Sequence, residues 1–129
     1  MAVGINPKQI AGIDQGYGVL LCKVSCECVA GTATYTLFSD SPLPFPIRIV
    51  DVTGIMTGAG GASDTVKVTD GTNDITSTED LSALADTDTW DISQIDDAYC
   101  DLERGDTLQV VTTSDATTRV NVWFTRKDW

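Results

Sequence analysis

The chain has no histidine, and its 129 residues include only 8 lysines and arginines. The first absence removes histidine-dependent triads, HExxH metal sites and imidazole acid–base chemistry together. The second leaves the 19 acids in excess by 11, for a formal charge of −11. Such a surface cannot hold nucleic acid by neutralising phosphates. Glutamate is scarce as well, at 3 against 16 aspartates. Glutamate favours helices whereas aspartate favours turns and caps, so little helix is expected. Long apolar runs are also missing. Val19-Leu20-Leu21-Cys22 spans four residues, against the roughly 20 that a membrane-spanning helix needs. The opening Met1-Ala2-Val3-Gly4-Ile5-Asn6-Pro7-Lys8 has no apolar core of signal-peptide length. The expectation is a soluble chain made in a cytoplasm, with no membrane partner.

Threonine (18) and valine (12) dominate what is present, a composition of strands joined by acidic turns. The length fits one domain. Residues 1–15 show no sustained period and read as an extended N-terminal arm; residues 16–129 read as a single β-sandwich domain. The cysteines are Cys22, Cys26, Cys28 and Cys100. In a strand over 17–30, Leu20, Cys22, Val24, Cys26 and Cys28 share one face, and Lys23, Ser25 and Glu27 the other. Cys22 and Cys26 would then stand about 13 Å apart, too far to share one zinc. The cysteines read as buried free thiols acting as small hydrophobes.

Further strands are expected at 32–38, paired with the first as a hairpin across Ala30-Gly31, and at 47–57. In the latter, strict alternation sets Ile47, Ile49 and Asp51 against Arg48, Val50 and Val52. Between these two strands, Ser41-Pro42-Leu43-Pro44-Phe45-Pro46 carries three alternate prolines, which no central strand accepts; it reads as a rigid connector. Gly58–Ser63 is a loop without the lysine and following helix of a phosphate cradle. Asp70-Gly71 marks a hairpin between Val66-Lys67-Val68 and Thr72-Asn73-Asp74-Ile75-Thr76. Thr78–Ala85 is the best helix candidate, with Thr78 as cap and Leu81, Leu84 and Ala85 on one face. Strands follow at 87–92, with Trp90 and Ile92 on one side, at 107–112 and at 119–126. The total is about eight strands with one short helix, the pattern of an all-β, antiparallel β-sandwich, jelly-roll-like.

Aspartate is the one plausible catalytic type. The close pairs Asp86/Asp88, Asp88/Asp91, Asp96/Asp97 and Asp101/Glu103 sit among turn residues, where carboxylates are solvated; no enzyme is expected. The alternating oxygens of Asp86, Asp88 and Asp91 make them calcium candidates, although the stretch lacks the glycine and terminal glutamate of an EF-hand loop. No other cofactor is expected. Arg104-Gly105-Asp106 matches a cell-adhesion tripeptide but has a plain turn explanation. Trp90, Trp123, Trp129, Tyr35 and Tyr99 could build a sugar-stacking platform.

Two stretches carry a resemblance. One runs from Pro44-Phe45-Pro46-Ile47-Arg48-Ile49-Val50-Asp51-Val52 through Met56–Val68 to the Asp-Gly turn. The other runs from Ile95-Asp96-Asp97-Ala98-Tyr99 through Leu102-Glu103-Arg104-Gly105-Asp106-Thr107-Leu108 to the last valine-rich strand. Together, over about residues 32–126, the chain resembles small capsid decoration (cement) or head-fibre proteins of tailed bacteriophages. The resemblance implies a jelly-roll-like fold and a homo-oligomer, commonly a trimer. It implies a place on the outer face of an expanded icosahedral head, bound to the major capsid protein, after assembly in a host bacterial cytoplasm. It implies no active-site residues. Contacts would then fall to the arm, through Ile5, Pro7, Ile10 and Ile13, and to the proline segment, through Pro42, Pro44, Phe45 and Pro46. The alternative is a carbohydrate-binding β-sandwich.

Overall fold

The computed structural model describes residues 21–38 and 43–127. They form β1 (Leu21–Cys28), β2 (Thr34–Leu37), β3 (Ile47–Met56), β4 (Thr65–Thr69), β5 (Glu79–Asp80), β6 (Thr89–Ile92), β7 (Asp101–Leu102), β8 (Leu108–Thr113) and β9 (Thr118–Arg126). The fold is all-β, in two antiparallel sheets. One has the order β1-β9-β3-β6, with β7 also on β3; the other has the order β2-β8-β4-β5. The arm residues Ile5, Pro7, Ile10 and Ile13, together with Pro42 and Trp129, lie outside the described residues.

Alternation builds the core. Val120, Val122 and Phe124 of β9, Ile47, Ile49 and Val52 of β3, Val66 and Val68 of β4, and Leu108 and Val110 of β8 join one buried cluster drawn from both sheets. Burying such aliphatic side chains contributes about 1.5–3 kcal/mol each. In β6, Trp90 and Ile92 share one side as expected, and that side is buried. β6 and β7 lie in sequence along the same edge of β3: Val52–Ile55 pair with β6, and Ile47 and Arg48 with β7. They amount to one edge strand interrupted by residues 93–100, an excursion that crosses to bridge Thr76 through Ile95.

Three expectations need correction. No helix occurs among the described residues, and Thr78–Ala85 is β5 followed by a turn. The Asp80 carboxylate accepts the Ser82 N–H (2.9 Å), and the Leu84 N–H closes back on the Leu81 carbonyl (3.1 Å). A side-chain acceptor beside the backbone offers an alternative to the helical ladder, and Leu81 reaches the core from the turn. Second, β1 and β2 are not a hairpin, because β1 pairs β9 and β2 pairs β8. Gly31, at φ 88°, turns the chain from one sheet to the other. The Tyr35 hydroxyl clamps that corner: it accepts the Val29 N–H (2.8 Å) and faces the Val29 and Thr32 carbonyls, both at 3.0 Å.

The third correction concerns β3. Its register against β9 slips between Ile49 and Asp51, so Val50 is a bulge and the inward phase jumps from Ile49 to Val52. A bulge adds one unpaired residue, which is why strict alternation misplaces Val52 and Asp51. Deleting Val50 is therefore expected to leave a regular strand with the same inward set, folded within about 1 kcal/mol of the parent. Deleting Arg48 would instead turn Ile47 outward and cost about 2–3 kcal/mol or more. Urea unfolding of the two deletions checks this; equal losses would contradict the bulge assignment.

Candidate functional site

The chemistry that the sequence singled out is dispersed. Asp86, Asp88 and Asp91 are exposed. Asp88 is occupied locally, its carboxylate accepting the Ala85 N–H (2.9 Å), and Asp91 lies on β6. Among the described residues, no three His, Cys, Asp or Glu side chains are placed to hold a metal ion. Arg104-Gly105-Asp106 is an exposed turn whose Asp106 carboxylate caps the Glu103 N–H (2.8 Å). The turn at Asp70-Gly71 forms, its Asp70 carboxylate accepting the Thr72 and Asn73 N–H groups, but the expected second strand over 72–76 is reduced to single bridges at Asp74 and Thr76. Partial burial opposes its charge, but the amides of Asn73 and Thr72 prevail and hold it below the ordinary aspartate value.

All four cysteines are free, with Cys26, Cys28 and Cys100 buried and Cys22 half-buried. The Cys28 thiol donates to the Cys26 sulfur, which lowers Cys26; that hydrogen bond, with burial, pushes Cys28 far above the ordinary thiol range. Cys28 is fully buried and packs in the core as a small hydrophobe. Of the proline segment, Pro44 is exposed while Phe45 is half-buried, stacked near Phe124 (centroids 6.4 Å) under the Arg126 guanidinium at 4.0 Å. Much of Phe45 is therefore used to anchor the connector.

The aromatic set divides in the same way. Trp90 is 5% exposed and Tyr35 is held in its corner. Trp123 stands on the outer face of the β1-β9-β3-β6 sheet. Its phase in β9 is outward, and its indole N–H donates to the Thr53 hydroxyl (3.1 Å). The Lys23 ammonium lies 5.3 Å from its ring centroid, within cation–π range. On the other side of Trp123 the Asp51 carboxyl lies opposite it in the register and meets Asp91. Ser25 donates to the Asn121 side chain (2.7 Å), and Arg119 pairs with Glu27 (3.2 Å). These residues come from four strands far apart in the chain, and the bulge sets Asp51 outward. No local motif could have announced them.

Asp51 is raised above its ordinary value by burial, then by the charge of Asp91 and a hydrogen bond shared with it. A carboxyl raised in the folded state penalises folding above its folded pKa, and the penalty fades as pH falls through the ordinary carboxylate value near 3.9. Asp51→Asn keeps an acceptor for the Val52 N–H (2.9 Å) and gains a donor toward Asp91. In dilute solution it is expected to stabilise by about 0.5–1 kcal/mol at pH 7, and by almost nothing at pH 3.5. Urea unfolding at the two pH values measures the difference; an equal gain at both would refute the charge origin.

No protein-family model matches this chain, and no curated protein matches it significantly.

Proposed function

We propose that this protein is a virion structural subunit: a capsid decoration (cement) protein that binds the outer surface of an expanded icosahedral head as a homo-oligomer, a trimer in the simplest case. The observation that supports it most is the strand order. Counting β6 and β7 as one interrupted strand leaves eight. The first, eighth, third and sixth then share one sheet, and the second, seventh, fourth and fifth the other. That order supports a jelly-roll sandwich, an architecture used by viral capsid and lectin domains. The charge agrees with an exterior position, since a chain at −11 is repelled by packaged DNA. The reading assigns no enzymatic role and no cofactor. The partner is the major capsid protein, and the proline connector with exposed Pro44 is a natural contact element.

The test is to mix purified protein with undecorated, expanded capsids and measure saturation. Uptake to a multiple of three copies per local threefold position, with greater resistance of the heads to heat, supports the proposal. Absence of binding across a panel of such heads overturns it. Trp123, partly open on the sheet among Thr53, Asn121 and Asp51, favours one second reading, a carbohydrate-binding sandwich. Glycan binding lost on Trp123→Ala, with the fold intact, would support it.

A further inference from the structure

The outer face of the β1-β9-β3-β6 sheet is electrically unlike the rest of the chain. It presents Lys23, Arg48, Arg119 and Lys127 against Glu27, Asp51, Asp91, Asp101 and Glu103. One net negative charge remains on this face, out of the nine that the described residues carry. Most of these charges are neutralised within the face: Arg119 by Glu27, Arg48 by Asp101, and Lys127 by Glu103 and Asp101. Two groups are left over. Lys23, on the edge strand β1, makes no ion pair among the described residues and rests on Trp123. Asp51 on β3 and Asp91 on the edge strand β6 face each other with no ion pair to either among the described residues. Three strand spacings, roughly 14 Å, separate β1 from β6. Asp91 on β6 is therefore beyond the reach of Lys23 within one copy, while Asp51 on β3 lies two spacings from β1, roughly 10 Å, with Trp123 between it and Lys23 in the same register row.

We propose that this face is the contact between copies of this chain, with the Lys23 edge of one copy seated on the Asp51–Asp91 edge of the next and Trp123 between them. Two copies that each carry −11 repel, and repulsion is least where charge cancels. Unlike the aspartate-studded loops, this face offers a basic half and an acidic half that fit a second copy of itself. Its apolar content fits too. Leu21 is 53% exposed at the end of β1, Val50 is 43% exposed at the bulge, and Tyr99 is 38% exposed beside it, where the Ile49 N–H meets the Cys100 carbonyl (2.9 Å). A central tryptophan ringed by such groups is the composition of a protein–protein contact. The inference deepens the homo-oligomer part of the proposed function and needs no capsid.

The experiment is the mass of the isolated full-length protein by light scattering and sedimentation, over a range of concentration at low and moderate salt. The wild type should form a closed oligomer that loosens as salt rises. Lys23→Glu and Asp91→Lys, both at exposed positions, should each raise the dissociation constant about tenfold or more, and Lys23→Glu/Asp91→Lys together should recover most of the loss. Trp123→Ala should dissociate the oligomer while thermal unfolding shows a folded chain. A wild type that stays monomeric at all concentrations overturns the proposal, as does an oligomer indifferent to Lys23→Glu and Trp123→Ala. A monomer whose uptake by capsids is lost on Lys23→Glu also overturns it, assigning the face to the head and leaving the decoration reading intact.

Discussion

Gly54→Ala is expected to destabilise the fold by about 3 kcal/mol, lowering its melting temperature by about 10 °C. Gly54 stands opposite Trp90 in the β3–β6 register, and the indole lies across the space a side chain would fill. A Cβ there would fall among the Trp90 ring atoms Cζ2, Cε2 and Nε1. The ring has little freedom to retreat. It is 5% exposed, and its N–H donates to the Thr118 hydroxyl (2.9 Å), which in turn donates to the Ile55 carbonyl (2.8 Å). One methyl group must therefore break a buried hydrogen-bond chain or spread two paired strands. Trp90→Leu removes the obstacle at a cost of its own, about 2–3 kcal/mol. In the Trp90→Leu background, Gly54→Ala should add less than 1 kcal/mol or so. Denaturant unfolding of the four chains completes the cycle. A Gly54→Ala protein within about 0.5 kcal/mol of the parent would contradict the packing.

The contrast with the sequence reading is sharpest along β3. Alternation correctly puts Ile47 and Ile49 on one face but carries no sign of the bulge, because Val50 and Val52 are alike in every pattern-based sense and only the register against β9 separates them. The cysteine strand was legible because β1 has no bulge: Cys26 and Cys28 are buried where Lys23, Ser25 and Glu27 are exposed. The all-β class followed from the aspartate, threonine and valine content, and the Asp70-Gly71 turn from its own chemistry. The first turn misled, since Ala30-Gly31 has hairpin residues but joins two sheets. A turn's residues specify its local angles, not which sheet its second arm enters. The Trp123 face was illegible for a related reason. Its members meet only through strand order, and strand order is a long-range property.

The same distinction governs Leu81, whose replacement by alanine is expected to cost about 3 kcal/mol, while Leu84→Ala costs about 1 kcal/mol. In a helix over Thr78–Ala85 the two leucines would share a face and lose comparably. In the observed turn they do not: Leu81 is fully buried, whereas Leu84 only packs against the edge of the core. The joint around Leu81 is also held by backbone. Its N–H donates to the Asp64 carbonyl (2.9 Å), the Gly60 N–H donates to the Leu84 carbonyl (2.8 Å), and the buried Asp64 carboxylate accepts the Gly61 N–H (2.8 Å). A Cβ on Gly60 would run into the Leu81 carbonyl oxygen, so Gly60→Ala should be as damaging as Leu81→Ala. Because both changes open one joint, combining them should cost clearly less than the sum. Thermal and urea unfolding of Leu81→Ala, Leu84→Ala, Gly60→Ala and the Gly60→Ala/Leu81→Ala double variant decide the matter. Equal losses at Leu81 and Leu84 would favour the helix and overturn the turn.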